Sequence, residues 1–457
     1  MKYLKQISLI STFLLVSCSD DFISLAPISE ANSENFYKTQ SDFNNAVLAI
    51  YHNLQSKDQY GSNDTRFGGG FYSLMEVRAD DVIDGDASAG AGATVFEINQ
   101  FVDNPLSDKI SGAWGSIYKT IFDSNTVIGR IENISLNSTL KNQYIAEARF
   151  LRGLSYFNAV RLWGDIPLVT SEITPQEALT LKRNSVSDVY KLIEDDFIFA
   201  SNNLPNSYSG QEGRATSGAA KAFLGKVYLT EKKWSDAVNT LQPILGSYQL
   251  LPNINDVFDI TKELNREIIF SVRFKSGTYG EGHSGFGTPV YPVLLTKYTA
   301  GDTRLPLLTF MNNSNGNYPS KQFEAGTTSQ WGRDFPVLRY SDVLLMYSEA
   351  LNEVGYQANG DAFTYLNAVR TRANVPTYSS SILTNQVEFR NAIQNERRLE
   401  FPCELHRWFD LLRTNTAIQS MNNIGVTIKP YQLLFPIPQT EINVYNNPTQ
   451  FPQNPGY

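Results

Sequence analysis

The sequence predicts a mainly α-helical protein, a scaffold of helical hairpins with a second, irregular lobe of long loops and short strands. Two observations carry this reading. Residues 337–355, VLRYSDVLLMYSEALNEVG, place Tyr340, Val343, Leu344, Tyr347, Leu351 and Val354 at steps of three and four, which makes one apolar helical stripe closed by Gly355. The sequel GDAFTYLNAVRTRA sets Ala362, Leu366 and Val369 on a second helix, so the two form a hairpin. Against these stand two tracts, 58–105 and 250–336, rich in Gly, Asn, Ser and rings. Long tracts without secondary structure are uncommon in compact domains unless they serve a function.

In chain order, the N-terminus comes first. Lys2 and Lys5 precede an apolar run from Ile7 to Val16, the plan of a secretion signal. The run falls short of the roughly 20 residues a membrane span needs. Cys18 follows, and the only other cysteine, Cys403, lies so far along the chain that a bridge would secure little locally. Leu15-Val16-Ser17-Cys18 resembles the bacterial lipobox, in which the cysteine becomes residue one of the mature protein and carries lipid. Two or more acyl chains hold a protein stably where one is marginal. Residues 1–17 are therefore expected to be a lipoprotein signal peptide, Cys18 the lipidation site, and 18–457 a single domain. Ser19-Asp20-Asp21 resembles the acidic signal that sends some lipoproteins to the outer face of the outer membrane, and reads equally as a solvated tether.

Helical pairs are expected near 112–163, 214–246, 337–374 and 386–413, with single helices at 42–55, 112–133, 187–203 and 386–400. Between 145 and 163 the apolar residues recur at strict steps of three, which wraps grease around most of a helix and predicts one buried among neighbours. In 219–245, Leu224-Gly225 is followed by Tyr228, Trp234, Ala237 and Leu241, matching the tetratricopeptide pattern L-G-x-x-Y…A-x-x-x-F except for Leu241. Short strands are expected at Glu267–Phe274 and Gln432–Ile437.

A formal charge of −8 argues against nucleic acid, which demands a basic stripe. His52, His283 and His406 are far apart and Cys403 has no neighbouring ligand, so a zinc site of ordinary spacing is absent. Rings make up 12% of the chain, more than a core of this size needs, and rings left outside serve binding.

Several motifs suggest catalysis. Gly280-Glu281-Gly282-His283-Ser284-Gly285 satisfies G-x-G-x-x-G, yet Thr288-Pro289-Val290-Tyr291-Pro292 follows where a dinucleotide site needs a helix. Phe286 breaks the G-x-S-x-G of a nucleophile elbow in the same loop. Asp80, Asp81, Asp84 and Asp86 form the densest acidic cluster; it reads as a solvated or sugar-bonding loop, with calcium and a glycosidase pair as alternatives, although the D-x-D-x-D-G order of a calcium loop is missing. No cofactor is indicated. Glu396, Arg397, Arg398, Glu400, Arg407, Asp410 and Arg413 are spaced for intrahelical ion pairs that serve the scaffold. Trp114, Trp163, Trp234 and Trp408 fall in helical patterns and read as core. Trp331 lies in the polar tract SQWGRD, where its ring can stack on a sugar while Arg333 and Asp334 bond the hydroxyls. The same logic selects Phe67, Phe71 and Tyr72 in the first insertion and Tyr279, Phe286 and Tyr291 in the second, with Asp81 as polar companion. These rings are equally suited to a partner interface.

The blocks EARFLRGLSYFNAVRLWGDIPLV (147–169), RATSGAAKAFLGKVYL (214–229), PVLRYSDVLLMYSEALNE (336–353), NERRLEFPCELHRWFDLLRT (395–414) and the tail LFPIPQTEINVYNNPTQFPQNPGY (434–457) resemble the SusD/RagB family of nutrient-binding outer-membrane lipoproteins. They occur in family order across most of the chain. One departure is the pair Leu405-His406, where the family commonly has a glycine two residues before Arg-Trp-Phe-Asp. The resemblance implies a tetratricopeptide-like scaffold and a glycan or peptide site on an exposed face. It also implies a SusC-like TonB-dependent transporter as partner, over which the lipoprotein closes as a lid to deliver an oligosaccharide. The expected function is thus glycan capture at the cell exterior without catalysis. Peptide binding, a lipid-anchored glycosidase and a purely structural scaffold are the alternatives.

Overall fold

A computed structural model describes residues 36–62, 69–82, 91–277, 282, 289–309, 311–313, 316–318, 321 and 331–457. The expected signal peptide, Cys18, Phe67, Asp84, Asp86, Tyr279 and Phe286 lie outside the described residues.

Helix α1 (Gln40–Asn53) opens on a capping box, with the Asp42 carboxylate accepting from the Thr39 amide at 2.8 Å and the Thr39 hydroxyl accepting from the Asp42 amide at 3.2 Å. Phe43, Ala46, Val47 and Ile50 sink one face and leave Gln40, Asn45 and His52 exposed on the other. Helices α2 (Asp108–Arg130) and α3 (Ser138–Trp163) follow. From Tyr144 to Trp163, α3 is buried on nearly every side, as its step of three predicts, because α1, α2 and α4 (Val186–Asn203) all pack on it. Packing then passes from α4 to α5 (Ser217–Thr230), from α5 to α6 (Trp234–Leu241), and from α6 to α7 (Tyr340–Val354), which also holds α8 (Asp361–Arg372) and α9 (Gln386–Glu400). This is the hairpin scaffold. At Gly225 a Cβ would press into the Leu241 side chain, so the tetratricopeptide glycine lets α5 and α6 approach. Trp114, Trp163 and Trp408 are buried and Trp234 half-buried, as expected of core rings.

Between α6 and α7 the chain leaves the scaffold and returns through a two-stranded antiparallel pair, β1 (Ile268–Val272) and β2 (Phe335–Arg339), in register Val272 opposite Phe335. The expected first strand is thus present, but residues 337–339, read as the start of a helix, belong to β2. The strand expected over Gln432–Ile437 is absent. Pro430–Leu433 forms a 3-10 turn, and beyond it Phe435 donates to Leu162 O at 2.8 Å and Ile437 to Gln453 Oε1 at 2.7 Å. With Pro436 and Pro438 lacking donors, no ladder can form there.

Ion pairs join lobe and scaffold. Arg339, fully buried at the end of β2, bonds Glu267 at 2.9 Å, Glu400 at 2.6 Å and Glu404 at 2.7 Å. Arg304 adds Glu396 at 2.6 Å, Lys321 reaches Glu404 at 2.6 Å, and Arg372 pairs with both Glu267 and Glu400. Burial pushes the Glu400 carboxyl up, but Arg372, Arg339 and Arg304 hold it well below the usual carboxylate range. The charges on α9 therefore serve the scaffold, though not within one helix as expected. Arg397 reaches Asp342 at 2.6 Å and Arg413 reaches Glu349 at 2.8 Å; Arg413 with Asp410 is an intrahelical pair.

Candidate functional site

The chain leaving β1 and the chain entering β2 form a junction. Phe274 N donates to Asp334 Oδ1 at 3.0 Å, the Arg273 guanidinium pairs with Asp334, and Asp334 N donates to Glu263 Oε1 at 2.7 Å. Gly332 lies so near Ser276 that a Cβ would overlap the Ser276 amide nitrogen, so the approach admits only glycine. Gln55, just past α1, donates to Arg273 O at 2.7 Å and draws in the first insertion. There Gly70 N bonds Lys57 O at 2.8 Å and Phe71 N bonds Gln59 O at 3.2 Å. The Tyr60 ring then meets Phe71 at 4.9 Å and Phe335 at 5.6 Å. Residues from both insertions thus gather around the Gln55–Arg273 contact.

Two acids share one arginine here. Burial, reinforced by Asp334, pushes the Glu263 carboxyl up to about 7, and burial also raises Asp334 against the pull of Arg273.

A second junction lies where Val82 bridges Val290 and Tyr291 N donates to Asp81 O at 2.8 Å. Beneath it, Arg398 Nε reaches Asp81 Oδ1 at 2.6 Å, and Arg407 grips both oxygens of Asp80 at 2.7 and 2.9 Å. Burial raises both carboxyls. The bidentate Arg407 overcomes it and holds Asp80 below the usual range, while Asp81, fully buried, stays above.

The SusD family model matches residues 295–457, and a model described as starch-binding, associating with the outer membrane, matches residues 29–229. The chain belongs to the SusD/RagB family. A SusD-like protein of Formosa agariphila is 28% identical, covering 93% of this chain and 94% of its own. One of Bacteroides ovatus is 25% identical over 88% of this chain and 80% of its own. Among solved structures, a laminarin-binding SusD-like protein superposes with a TM-score of 0.79 at 27% identity, covering 92% of this chain and all of that one. Surface glycan-binding protein A of Bacteroides thetaiotaomicron, solved with laminarihexaose, shares the fold at 20% identity, with a TM-score of 0.75 over 91% of this chain and all of that one. The relatives named for an activity here are binding proteins, and none is named as an enzyme.

Within this SusD-like fold the sequence-selected residues fall into three groups. Trp331 and half-buried Arg333 belong to the first junction, but the Trp331 ring, 5% exposed, is buried and does not offer the open face for stacking that its polar tract suggests. Half-buried Tyr291 stands at the second, its hydroxyl donating to Ile424 O at 3.4 Å. Phe71, Tyr72 and Asp81 are corrected: each is fully buried. The π-helical turn Tyr72–Val77 turns all of its side chains inward, and Asp81 is held by Arg398, so none of the three presents a group to solvent. Asp334, read as a hydroxyl partner, is instead tied to Phe274 and Arg273. Arg273, Glu263 and Gln55 were missed because only tertiary pairing brings them to residue 334. Among the described residues no group of three or more His, Cys, Asp or Glu side chains is set to hold a metal ion. No helix of the described residues is long and apolar enough to cross a membrane.

Proposed function

We propose that this protein is a lipid-anchored protein of the outer-membrane surface that captures an oligosaccharide or polysaccharide at the first junction, beside Trp331 and Arg333, and passes it uncut to a SusC-like TonB-dependent transporter. The observation that carries the reading is the 27% identity, across 92% of the chain, to a SusD-like protein named for binding laminarin. The family model's description, starch-binding and associating with the outer membrane, agrees with it. Cys18 supplies the anchor, and half-buried Arg333 carries planar donors of the kind that bond sugar hydroxyls. The acids near both junctions are committed to arginines, which favours holding a glycan over cutting it.

Isothermal titration of the chain lacking residues 1–18 against a panel of polysaccharides tests this. One class of glycan should release heat, and Arg333→Ala should weaken it about tenfold or more, the scale of a lost charged hydrogen bond. Silence across the panel, or full affinity in Arg333→Ala, contradicts it.

A further inference from the structure

A groove runs over the outward face of α1, beside the first junction. It consists of two hollows of about 660 and 710 Å³ that share Asn44, Gln211 and Arg214. The first ends against Gln55 and Arg273, the pair around which the junction is built. The second widens between the N-terminal half of α1 and the rings of Tyr144 and Tyr208. Along its floor the outward positions of α1 recur at steps of three and four, and the helix gives the groove a length of about 20 Å.

Its chemistry is that of amides beside rings, without an unpaired Lys or Arg among the described residues. Among the described residues, the side-chain amides of Gln40, Asn45 and Gln211 make no hydrogen bond to the rest of the chain. Arg214 spends its charge on Glu147 at 3.0 Å and donates to Asn44 Oδ1 at 2.5 Å, which leaves the Asn44 amino group to donate outward. Arg273 is likewise spent on Asp334. The rim carries Glu212, exposed and unneutralised by a salt bridge among the described residues, which disfavours anions. Amide donors and acceptors next to the half-buried Tyr208 ring suit the hydroxyls and C–H faces of neutral sugars, while Tyr144, 4% exposed, only backs the wall. Uronic or sulfated chains would want an unpaired cation, and among the described residues no unpaired Lys or Arg lines the groove.

We infer that the α1 groove is a second stretch of saccharide site, continuous with the junction, that grips neutral polysaccharide chains too long for the junction alone. This rests on the glycan-capture reading above.

The test compares wild type with the triple variant Gln40→Ala, Asn45→Ala, Gln211→Ala, whose changed side chains bear no internal bonds, so its Tm should match wild type. Both are titrated with laminarin, starch, xylan and galactomannan, with the hexasaccharide of each, and with alginate. For the neutral polymer that wild type binds, the variant should bind about tenfold more weakly, while the matching hexasaccharide keeps its affinity within twofold. Unchanged polymer affinity, an equal loss for polymer and hexasaccharide, or binding of alginate alone overturns the groove and leaves the junction standing. Silence of wild type toward every glycan overturns both.

Discussion

Glu76 lies in the π-helical turn with both carboxyl oxygens on backbone amides, Cys403 N at 2.6 Å and Leu405 N at 2.9 Å. Those two residues have φ of 64° and 63°, the left-handed region that costs a side-chain-bearing residue about 1–2 kcal/mol. Glu76 therefore clamps a strained corner, and Leu405 accepts the strain and buries its side chain. Burial pushes the Glu76 carboxyl up to about 8. An unfolded glutamate loses its proton near pH 4.5, so between that value and about 8 the folded state binds more protons and its stability falls as pH rises. Glu76→Gln removes this titration and one of the two acceptors. The Tm advantage of wild type over the variant should accordingly be largest near pH 5 and shrink toward pH 8.5; an advantage constant with pH would contradict the assignment. At this scale the sequence was a partial guide. It marked Trp331 and Arg333 through their polar surroundings, but a ring in a glycine-rich tract looks the same whether it faces water or, like Trp331, Phe71 and Tyr72, is buried.

Among elements, those legible in advance were the ones with internal periodicity. Helix α9 spans 386–400 as read, and α3 and the α5–α6 pair follow their apolar spacing, because burial of a helical stripe is a local property of the sequence. Strand β2 was missed for the opposite reason: Phe-Pro-Val-Leu-Arg has no period of its own and becomes a strand because β1, far back in the chain, pairs with it. The junction inherits that dependence, since Arg273 and Asp334 meet only once the strands pair. Gly332 is where the junction is tightest. Gly332→Ala must push the chain away from Ser276, which should cost about 1–3 kcal/mol in urea unfolding and weaken glycan binding along with stability. An alanine variant with unchanged unfolding and affinity would show that the approach is not needed.

Taken whole, the molecule is a helical scaffold with a lobe ion-paired to it. Arg339, Arg372 and Arg304 interlock Glu267, Glu396, Glu400 and Glu404, so that the strands leading to the junction are fixed to α8 and α9. Desolvation offsets much of what such a buried network adds to stability, but removing one partner would strand the others as uncompensated buried charges. Fixed strands, a groove beside them and acids committed to arginines agree with the proposal that this protein holds a glycan without cutting it. The measurement that tests this most directly follows heat of binding and reducing ends in one sample, with the soluble chain mixed with each polysaccharide of the panel. The account predicts saturable heat with one neutral glycan and a constant number of reducing ends over hours; growth in reducing ends, or no heat with any glycan, would contradict it.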